Sequence, residues 1–279
     1  MNTMRKLNLL YSFTILGLLF LSSCGEYNKL LKSKDYKMKY EYAQKYYLSE
    51  KYSKAQTLFE QVEPLYKGTK TGEEALYMLA DCYYKKKDYM MASTYFTKYY
   101  TVYPRGQYTE KARFYSGYSL YKNVPDPRLD QTDTYKAMQE LQLFREYFPN
   151  SAKKEDAERL LFELQDHLAE KALLNTRLYF NLGDYMGNNY QSAILTAQNA
   201  LKDFPETKFK QEFSIIILRS KMAIAENSIK ERQEDRYRDV VDEYYAFVND
   251  YPGSDYEKEA VAIFNKASKK IKVDHKTED

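Results

Sequence analysis

The chain has 279 residues and a formal net charge of +3, which is long enough for one large domain or two small ones. Nine glycines and seven prolines are too few for an all-β sandwich or barrel, which needs a turn every ~8–12 residues. Residues 1–23, which we expect to be removed, hold Arg5 and Lys6 and no acid, so the remainder has 41 basic and 40 acidic residues. This balance argues against the clustered positive field of a duplex-binding protein, and we expect no nucleic-acid partner.

The N-terminal segment is typical of a secretion signal. A basic head at residues 1–6 precedes about 15 apolar residues, fewer than the roughly 20 that a membrane-spanning helix needs. The following Leu-Ser-Ser-Cys sequence resembles the lipobox of bacterial lipoproteins, which implies that Cys24 becomes a lipid-modified N-terminus. The alternative is an ordinary secreted chain in which Cys24 is incidental. We expect residues 24–34 to form a tether between the lipid and the first helix.

A repeated pattern follows. An aromatic residue precedes proline four times, at Tyr103-Pro104, Phe148-Pro149, Phe204-Pro205 and Tyr251-Pro252. The residue twelve positions before each proline is called the anchor. The four anchors defined in this way are Ala92, Ala137, Ala193 and Val240. An earlier copy of the pattern, without the proline, has its anchor at Ala55. Positions four and seven after each anchor are apolar, which places them on one helical stripe. The proline then ends the helix, because it has no amide hydrogen and disfavours helical angles in the preceding residue.

Each anchor helix has a predicted partner helix before it. Small residues at the expected crossing points, Ala43, Ala80 and Gly117, allow two antiparallel helices to approach closely. The pattern is that of the tetratricopeptide repeat, a helix-turn-helix unit of about 34 residues. We predict an all-α fold, an α-solenoid of about five irregular repeats within residues 35–271. The repeats lie near 36–68, 72–105, 109–150, 152–206 and 208–253, with a capping helix at 254–271 and a polar tail at 272–279.

Two details of this prediction concern helix ends and insertions. The sequence Thr71-Gly72-Glu73-Glu74 has the spacing of a capping box and predicts a helix start at Thr71. Residues 123–133 predict a surface loop. Residues 151–188 form either one long helix or two helices, and the hydrophobic pattern does not decide between these alternatives.

The search for catalytic and metal-binding motifs finds none. The two histidines, His167 and His275, are isolated, and no zinc-ligand spacing, glycine-rich phosphate loop or Gly-x-Ser-x-Gly motif occurs. Cys82 lies in a helical pattern, which favours a small buried apolar residue over a nucleophile. We expect no enzyme activity, no cofactor and no metal. A lytic transglycosylase would need a separate lysozyme-like domain, for which the chain has no room.

Tyrosine is the abundant residue, with 31 copies and no tryptophan. Tyrosine suits peptide capture because it combines a flat apolar ring with a hydroxyl at low entropic cost. Alignment of the small residues predicts a partner-binding groove lined by Tyr40, Tyr47, Tyr77, Tyr84, Phe114, Tyr118 and Tyr121. The alternative is that many of these rings only pack between helices.

The lipobox and the five irregular repeats together resemble the BamD family, lipoproteins of the outer-membrane β-barrel assembly machine. The sequences that carry the resemblance are Tyr52–Ala55, Tyr103-Pro104 with Tyr108, Phe148–Ser151, Arg159–Phe162 and Phe204–Thr207. The chain departs from the family pattern where Lys67 replaces a proline and in its excess of tyrosine.

The resemblance implies a lipid-anchored protein of the outer membrane that faces the periplasm. Its implied partners are the POTRA region of a BamA-like barrel subunit, bound mainly through C-terminal repeats, and unfolded barrel precursors, received by N-terminal repeats. Two alternative identifications, both of them tetratricopeptide envelope lipoproteins, also fit the sequence. One is a SusD-like glycan receptor, although such chains are longer and usually stack sugars on tryptophan. The other is a cell-envelope or division scaffold.

Overall fold

A computed structural model describes residues 26–271, in which every regular element is a helix. The predicted signal peptide, the predicted lipid attachment at Cys24 and the polar tail lie outside the described residues. The chain divides into two compact units. The first holds the residues up to Val124 together with Tyr135–Ala157, and the second holds Pro125–Thr134 and the residues from Glu158 onward. The predicted all-α class is confirmed.

The first unit is built from consecutive helix pairs. Its elements are α1 (26–32), α2 (Tyr36–Leu48), α3 (Tyr52–Val62) with a 3-10 turn (Glu63–Leu65), α4 (Lys70–Lys85), α5 (Tyr89–Val102), α6 (Thr109–Lys122) and α7 (Thr132–Tyr147), whose first turn belongs to the second unit. Each of the repeats predicted at 36–68, 72–105 and 109–150 contains one such pair.

The second unit continues the pairing. Its helices are α8 (Lys154–Leu182), which begins in the first unit, α9 (Asn189–Asp203), α10 (Lys210–Glu226), α11 (Lys230–Asp250) and α12 (Glu257–Ser268). The segment 151–188 therefore forms one long helix of 29 residues. Across residues 26–271, no helix combines the length and the apolar character that crossing a membrane requires.

The helix pairs are organised around the predicted anchors. All five anchor side chains are 0% exposed: Ala55, Ala92, Ala137, Ala193 and Val240. The partner-helix residues Ala43 and Ala80 are equally buried. At Gly117, an added Cβ would lie 2.9 Å from Cγ of Leu141, so the crossing of α6 and α7 has no room for a side chain. The prediction that small residues occupy these crossings is confirmed.

The aromatic-proline pairs end the helices as predicted. Tyr103, Phe204 and Tyr251 are the C-cap residues of α5, α9 and α11, and Phe148 directly follows α7. Each of the four donates its backbone N–H to the carbonyl four residues earlier. The three C-caps have φ between −123° and −133° and ψ between 62° and 67°, outside the helical region, as a residue before proline requires.

A hydroxyl after the aromatic-proline pair ties each repeat to the one before it. Ser151 donates to Glu110 at 2.5 Å and Thr207 to Asp166 at 2.7 Å. Ser254 bonds Gln211 at 2.9 Å. These partners stand 41 to 43 residues apart in sequence, so the bonds connect neighbouring repeats within a unit.

The predicted tether contains a helix, α1. Leu30 on this helix is 5% exposed and belongs to the core of the first unit. The Tyr27 hydroxyl donates to the backbone carbonyl of Lys54 at 3.3 Å. The segment folds because it has an apolar residue and a ring to bury against α2 and α3.

The start of α4 differs from the predicted capping box. Thr69 is the N-cap, and its Oγ1 accepts the N–H of Gly72 at 3.1 Å. The same hydroxyl donates to the carbonyl of Tyr66 at 2.6 Å, which fixes that carbonyl against the first turn of α4. A Cβ on Gly72 would lie 2.0 Å from the Tyr66 oxygen, so the turn and the helix can meet only at a glycine.

Gly72→Ala therefore provides a test in which two effects have opposite signs. Alanine in a helix is favoured over glycine by about 1 kcal/mol, yet overpacking here should lower the free energy of unfolding by about 1–3 kcal/mol. Denaturant unfolding measures the difference. Thr71→Ala, one position earlier in the same turn, is the control and should be close to neutral. A Gly72→Ala protein as stable as the parent would contradict the close approach.

Candidate functional site

The first helices of successive pairs in the first unit share one tyrosine-rich surface. We call it the tyrosine face and define it by Tyr40 and Tyr47 of α2, Tyr77 and Tyr84 of α4, and Tyr108, Tyr115 and Tyr118 at or in α6. Tyr40 and Tyr47 are seven residues apart, as are Tyr77 and Tyr84, and seven residues bring a side chain back to the same side of a helix. Each helix thus contributes a row of rings.

Hydrogen bonds from tyrosine to carboxylate join α2 to α4. The Tyr40 hydroxyl donates to Oε2 of Glu74 at 2.6 Å and accepts from Nε2 of Gln44 at 2.9 Å. One turn along, the Tyr47 hydroxyl donates to Oδ2 of Asp81 at 2.6 Å. Both pairs are 34 residues apart, one tetratricopeptide period. The bonds to ionised acceptors fix the ring orientations on this face.

Ring contacts join α4 to α6. Tyr77 stacks on Tyr108 with centroids 4.3 Å apart, and Tyr84 meets Tyr115 edge-on at 5.3 Å. Tyr84 also lies 6.1 Å from Tyr118. These separations fall in the range in which aromatic pairs attract beyond simple burial. The face is therefore connected across three helices, by hydrogen bonds from α2 to α4 and by ring contacts from α4 to α6.

The structure places most of the predicted groove residues on this surface. Those that are half-buried, with part of the ring accessible, are Tyr40, Tyr47, Tyr77, Tyr84, Tyr118 and Tyr121. Tyr121 stacks on Tyr118 at 5.9 Å and extends the row.

The prediction that Phe114 lines the groove is wrong. Phe114 is only 5% exposed and packs edge-on against Phe144 of α7 at 5.3 Å. One side of its ring also stacks on Tyr118 at 5.7 Å. Phe114 therefore supports the face from below and does not offer a free ring to a partner.

Sequence reasoning missed Tyr108, Tyr115 and the two carboxylates, Glu74 and Asp81. Tyr108 is the residue before the first residue of α6, where helical periodicity gives no signal. Tyr115 was missed because the third repeat was aligned through Gly117. The acids could have been found, since each stands 34 residues after a groove tyrosine.

Burial raises the pKa of four hydroxyls on this face, those of Tyr40, Tyr47, Tyr77 and Tyr84. The pKa of Tyr40 is raised by burial first and then by the Glu74 carboxylate, which holds the phenolic proton. The pKa of Tyr47 is raised in the same way by burial and Asp81, and that of Tyr77 by burial and the Asp81 charge. The hydroxyls therefore stay neutral donors at physiological pH.

The arrangement is suited to binding rather than to bond making. Burial raises the pKa of the Cys82 thiol to about 12, so it stays protonated and unreactive at neutral pH. Within residues 26–271, no three histidine, cysteine or acidic side chains group as a metal ion would require. What the face offers is flat rings, hydroxyls and two carboxylates on a fixed scaffold.

The raised pKa values predict the alkaline behaviour of the protein. Folded tyrosines keep protons that the unfolded chain releases near the ordinary value of 10.0, so stability is complete below pH 10 and falls as pH rises above it. We expect tyrosinate absorbance to rise in two phases, first from exposed rings and then cooperatively with loss of helical circular dichroism. A single smooth titration centred near pH 10 with the helices intact would contradict the buried, carboxylate-bonded hydroxyls.

Comparison with known families agrees with this architecture. A family model described as YfiO, outer membrane lipoprotein, matches residues 32–188. The match covers more than half of the chain and contains helices α2 to α8, and therefore every helix of the tyrosine face. No curated protein sequence matches the chain. On the family match, the chain belongs to the YfiO family of outer membrane lipoproteins.

Proposed function

We propose that this protein is a non-enzymatic subunit of the outer-membrane β-barrel assembly machine. In this role it scaffolds a BamA-like barrel-forming subunit and receives barrel precursors for folding and insertion. The observation that carries the proposal is the family match over residues 32–188, which coincides with the helices that build the tyrosine face.

The tyrosine face has the chemistry that an unfolded barrel precursor calls for. Strands of outer-membrane barrels alternate apolar and polar residues and carry girdles of aromatic side chains. Exposed edges of Tyr77, Tyr84 and Tyr118 can stack on such aromatic residues, and hydroxyls can bond the backbone of an extended segment. Tyr77 and Tyr84 are held by their ring contacts to α6. Tyr40 and Tyr47 are held by Glu74 and Asp81. Because these rings are already fixed, little side-chain entropy is lost on binding.

The second unit supplies a rigid surface for the barrel subunit. Nε and Nη2 of Arg219 donate to the two carboxylate oxygens of Glu259 at 2.6 Å each, which joins α10 to α12. The guanidinium holds the pKa of Glu259 below its usual value. Nζ of Lys221 bonds Glu243 of α11 at 2.6 Å. We assign the POTRA region of the BamA-like subunit to these C-terminal repeats, as the resemblance implies.

Lipid on Cys24 would confine the protein to the periplasmic side of the outer membrane. Confinement of two partners to one surface raises their effective concentration without any new contact. No nucleotide or cofactor is required for such a role, which depends on docking alone.

Affinity purification of the tagged protein from native membranes, followed by mass spectrometry, tests the proposal. We expect recovery of a BamA-like barrel subunit. Recovery of a TonB-dependent transporter together with glycan binding would instead identify a SusD-like receptor. Recovery of division or cell-wall proteins alone would identify an envelope scaffold, and muramidase activity would overturn the non-enzymatic role.

Substitution of the face separates its role from that of the second unit. Tyr118→Ala should reduce co-purified barrel precursors severalfold and leave the barrel subunit in place. Tyr135→Ala is the matched control, because Tyr135 is 59% exposed on α7 and is not part of the tyrosine face. Thermal unfolding of both variants checks that the fold is retained. Equal precursor recovery with both variants would exclude the tyrosine face as the receiving surface.

The lipid anchor has its own test. Cys24→Ala should yield a protein that folds but leaves the membrane fraction on washing with high salt. Cys82→Ala, which removes a buried thiol and keeps Cys24, is the control and should stay with the membrane. Retention of the Cys24→Ala protein after the salt wash would show that lipid is not the tether.

A further inference from the structure

The N-terminal layer, which we define as residues 26–54, carries a charge that the rest of the chain does not share. It contains eight lysines and four acids: Lys29, Lys32, Lys34, Lys37, Lys39, Lys45, Lys51 and Lys54 against Glu26, Asp35, Glu41 and Glu50. The layer is therefore net +4. The net charge of residues 24–279 is +1, so the residues after 54 have a net charge of −3. The positive charge of the chain is concentrated beside its predicted anchor.

Two of these lysines hold the layer together. Lys39 is buried, and its Nζ donates to the carbonyl of Leu31 at 2.9 Å and to Oε1 of Gln61 at 2.6 Å, which fixes the end of α1. Nζ of Lys54 lies 5.0 Å from the ring centroid of Tyr27 and 5.4 Å from that of Tyr46. The other six lysine side chains are exposed.

Exposed tyrosines and an apolar groove accompany the lysines. Tyr36 and Tyr42 are more than one third exposed. A groove of about 340 Å³ runs between α1 and α2, with Leu30, Met38 and Tyr42 among its apolar lining residues. Tyrosine and lysine together are the residues that proteins place at the boundary between a membrane and water.

The position of the layer in the chain determines what it meets. Glu26, which lines the groove, is two residues after Cys24, and two extended residues span at most about 7 Å. If Cys24 carries lipid, as the proposed function requires, the start of α1 stays within about 7 Å of the residue that carries it. Other surfaces of the protein are under no such constraint.

We propose that the N-terminal layer is a second membrane attachment that binds anionic phospholipid headgroups. Its exposed lysines contact the phosphates, and Tyr36 and Tyr42 lie at the headgroup level. Lysines beside a membrane are attracted to anionic lipids, and this attraction adds to the hold of a lipid anchor. Of the acids in the layer, Asp35 is already engaged, since its carboxylate accepts the N–H of Met38 as the N-cap of α2. Glu26, Glu41 and Glu50 reduce the positive field but leave it net positive.

Vesicle binding by the mature chain without its lipid, residues 25–279, tests this attachment. We expect binding to phosphatidylcholine vesicles that contain phosphatidylglycerol and little binding to phosphatidylcholine alone. Binding should weaken strongly as salt rises from about 0.1 M to 1 M, because the screening length falls from about 10 Å to 3 Å. Equal binding to both kinds of vesicle, or none to either, would overturn the proposal.

Charge reversal locates the surface. A triple variant should bind the vesicles about tenfold more weakly or worse; its substitutions are Lys32→Glu, Lys34→Glu and Lys37→Glu. The control is a second triple variant, Lys258→Glu, Lys269→Glu and Lys270→Glu, which changes the net charge equally in the second unit. If the control loses as much affinity, binding follows total charge and the N-terminal layer is not the site.

A tryptophan probe tests insertion directly, because the chain has no tryptophan of its own. The emission of a Tyr42→Trp protein should shift to shorter wavelength and be quenched by brominated lipid. Tyr135→Trp should show neither change. These measurements involve neither the barrel subunit nor its precursors. A negative result would therefore overturn the membrane attachment and leave the proposed role in barrel assembly unaffected. A failure of the barrel-assembly role would likewise leave the membrane attachment unaffected. Precursor binding at Tyr42 without vesicle binding would assign the layer to a protein partner and overturn the lipid assignment.

Discussion

Four of the five anchors are alanine, and their helix pairs depend on this small residue where the two helices cross. Ala55, Ala92, Ala137 and Ala193 are fully buried, and the third pair is so close at Gly117 that a methyl group would overlap Leu141. Helices that meet through alanine or glycine lie at the short end of the usual 8–10 Å axial separation. Large rings cannot enter such a crossing, so they lie to either side of it. Some rings of α2, α4 and α6 are buried, such as Tyr83 of α4 and Phe114 of α6, and others form the tyrosine face.

The second constraint is a set of hydrogen bonds that connect neighbouring pairs. The first two helix pairs are joined by the hydrogen bonds Tyr40–Glu74 and Tyr47–Asp81. Later pairs are joined by the hydrogen bonds Ser151–Glu110 and Thr207–Asp166. A hydrogen bond to a charged group contributes about 1.5–3 kcal/mol, and it is directional in a way that apolar contact is not. The same tyrosines therefore fix the spacing of the repeats and form part of the proposed binding surface. A partner bound there would meet rings whose orientation is already set.

Much of this architecture could be predicted from the sequence, and the failures have physical causes. Anchors, partner helices and helix ends followed from helical periodicity and from proline, both of which are local signals. Phe114 was assigned to the groove because the third repeat was aligned through Gly117, yet helix rotation places its ring against Phe144. The pairing of Tyr47 with Asp81 joins two helices one repeat apart and leaves no trace in the periodicity of either. Helix α1 was missed because seven residues are too few to show a pattern.

We propose that the tyrosine face of this outer membrane lipoprotein docks other polypeptides. Photo-cross-linking in native cells provides the sharpest test, with a light-activated amino acid placed at position 118 on the face or at position 135 away from it. Position 118 should cross-link newly secreted barrel proteins, and position 135 should not. Equal cross-linking from both positions, or none from position 118 while barrel proteins still reach the membrane, would contradict the proposal.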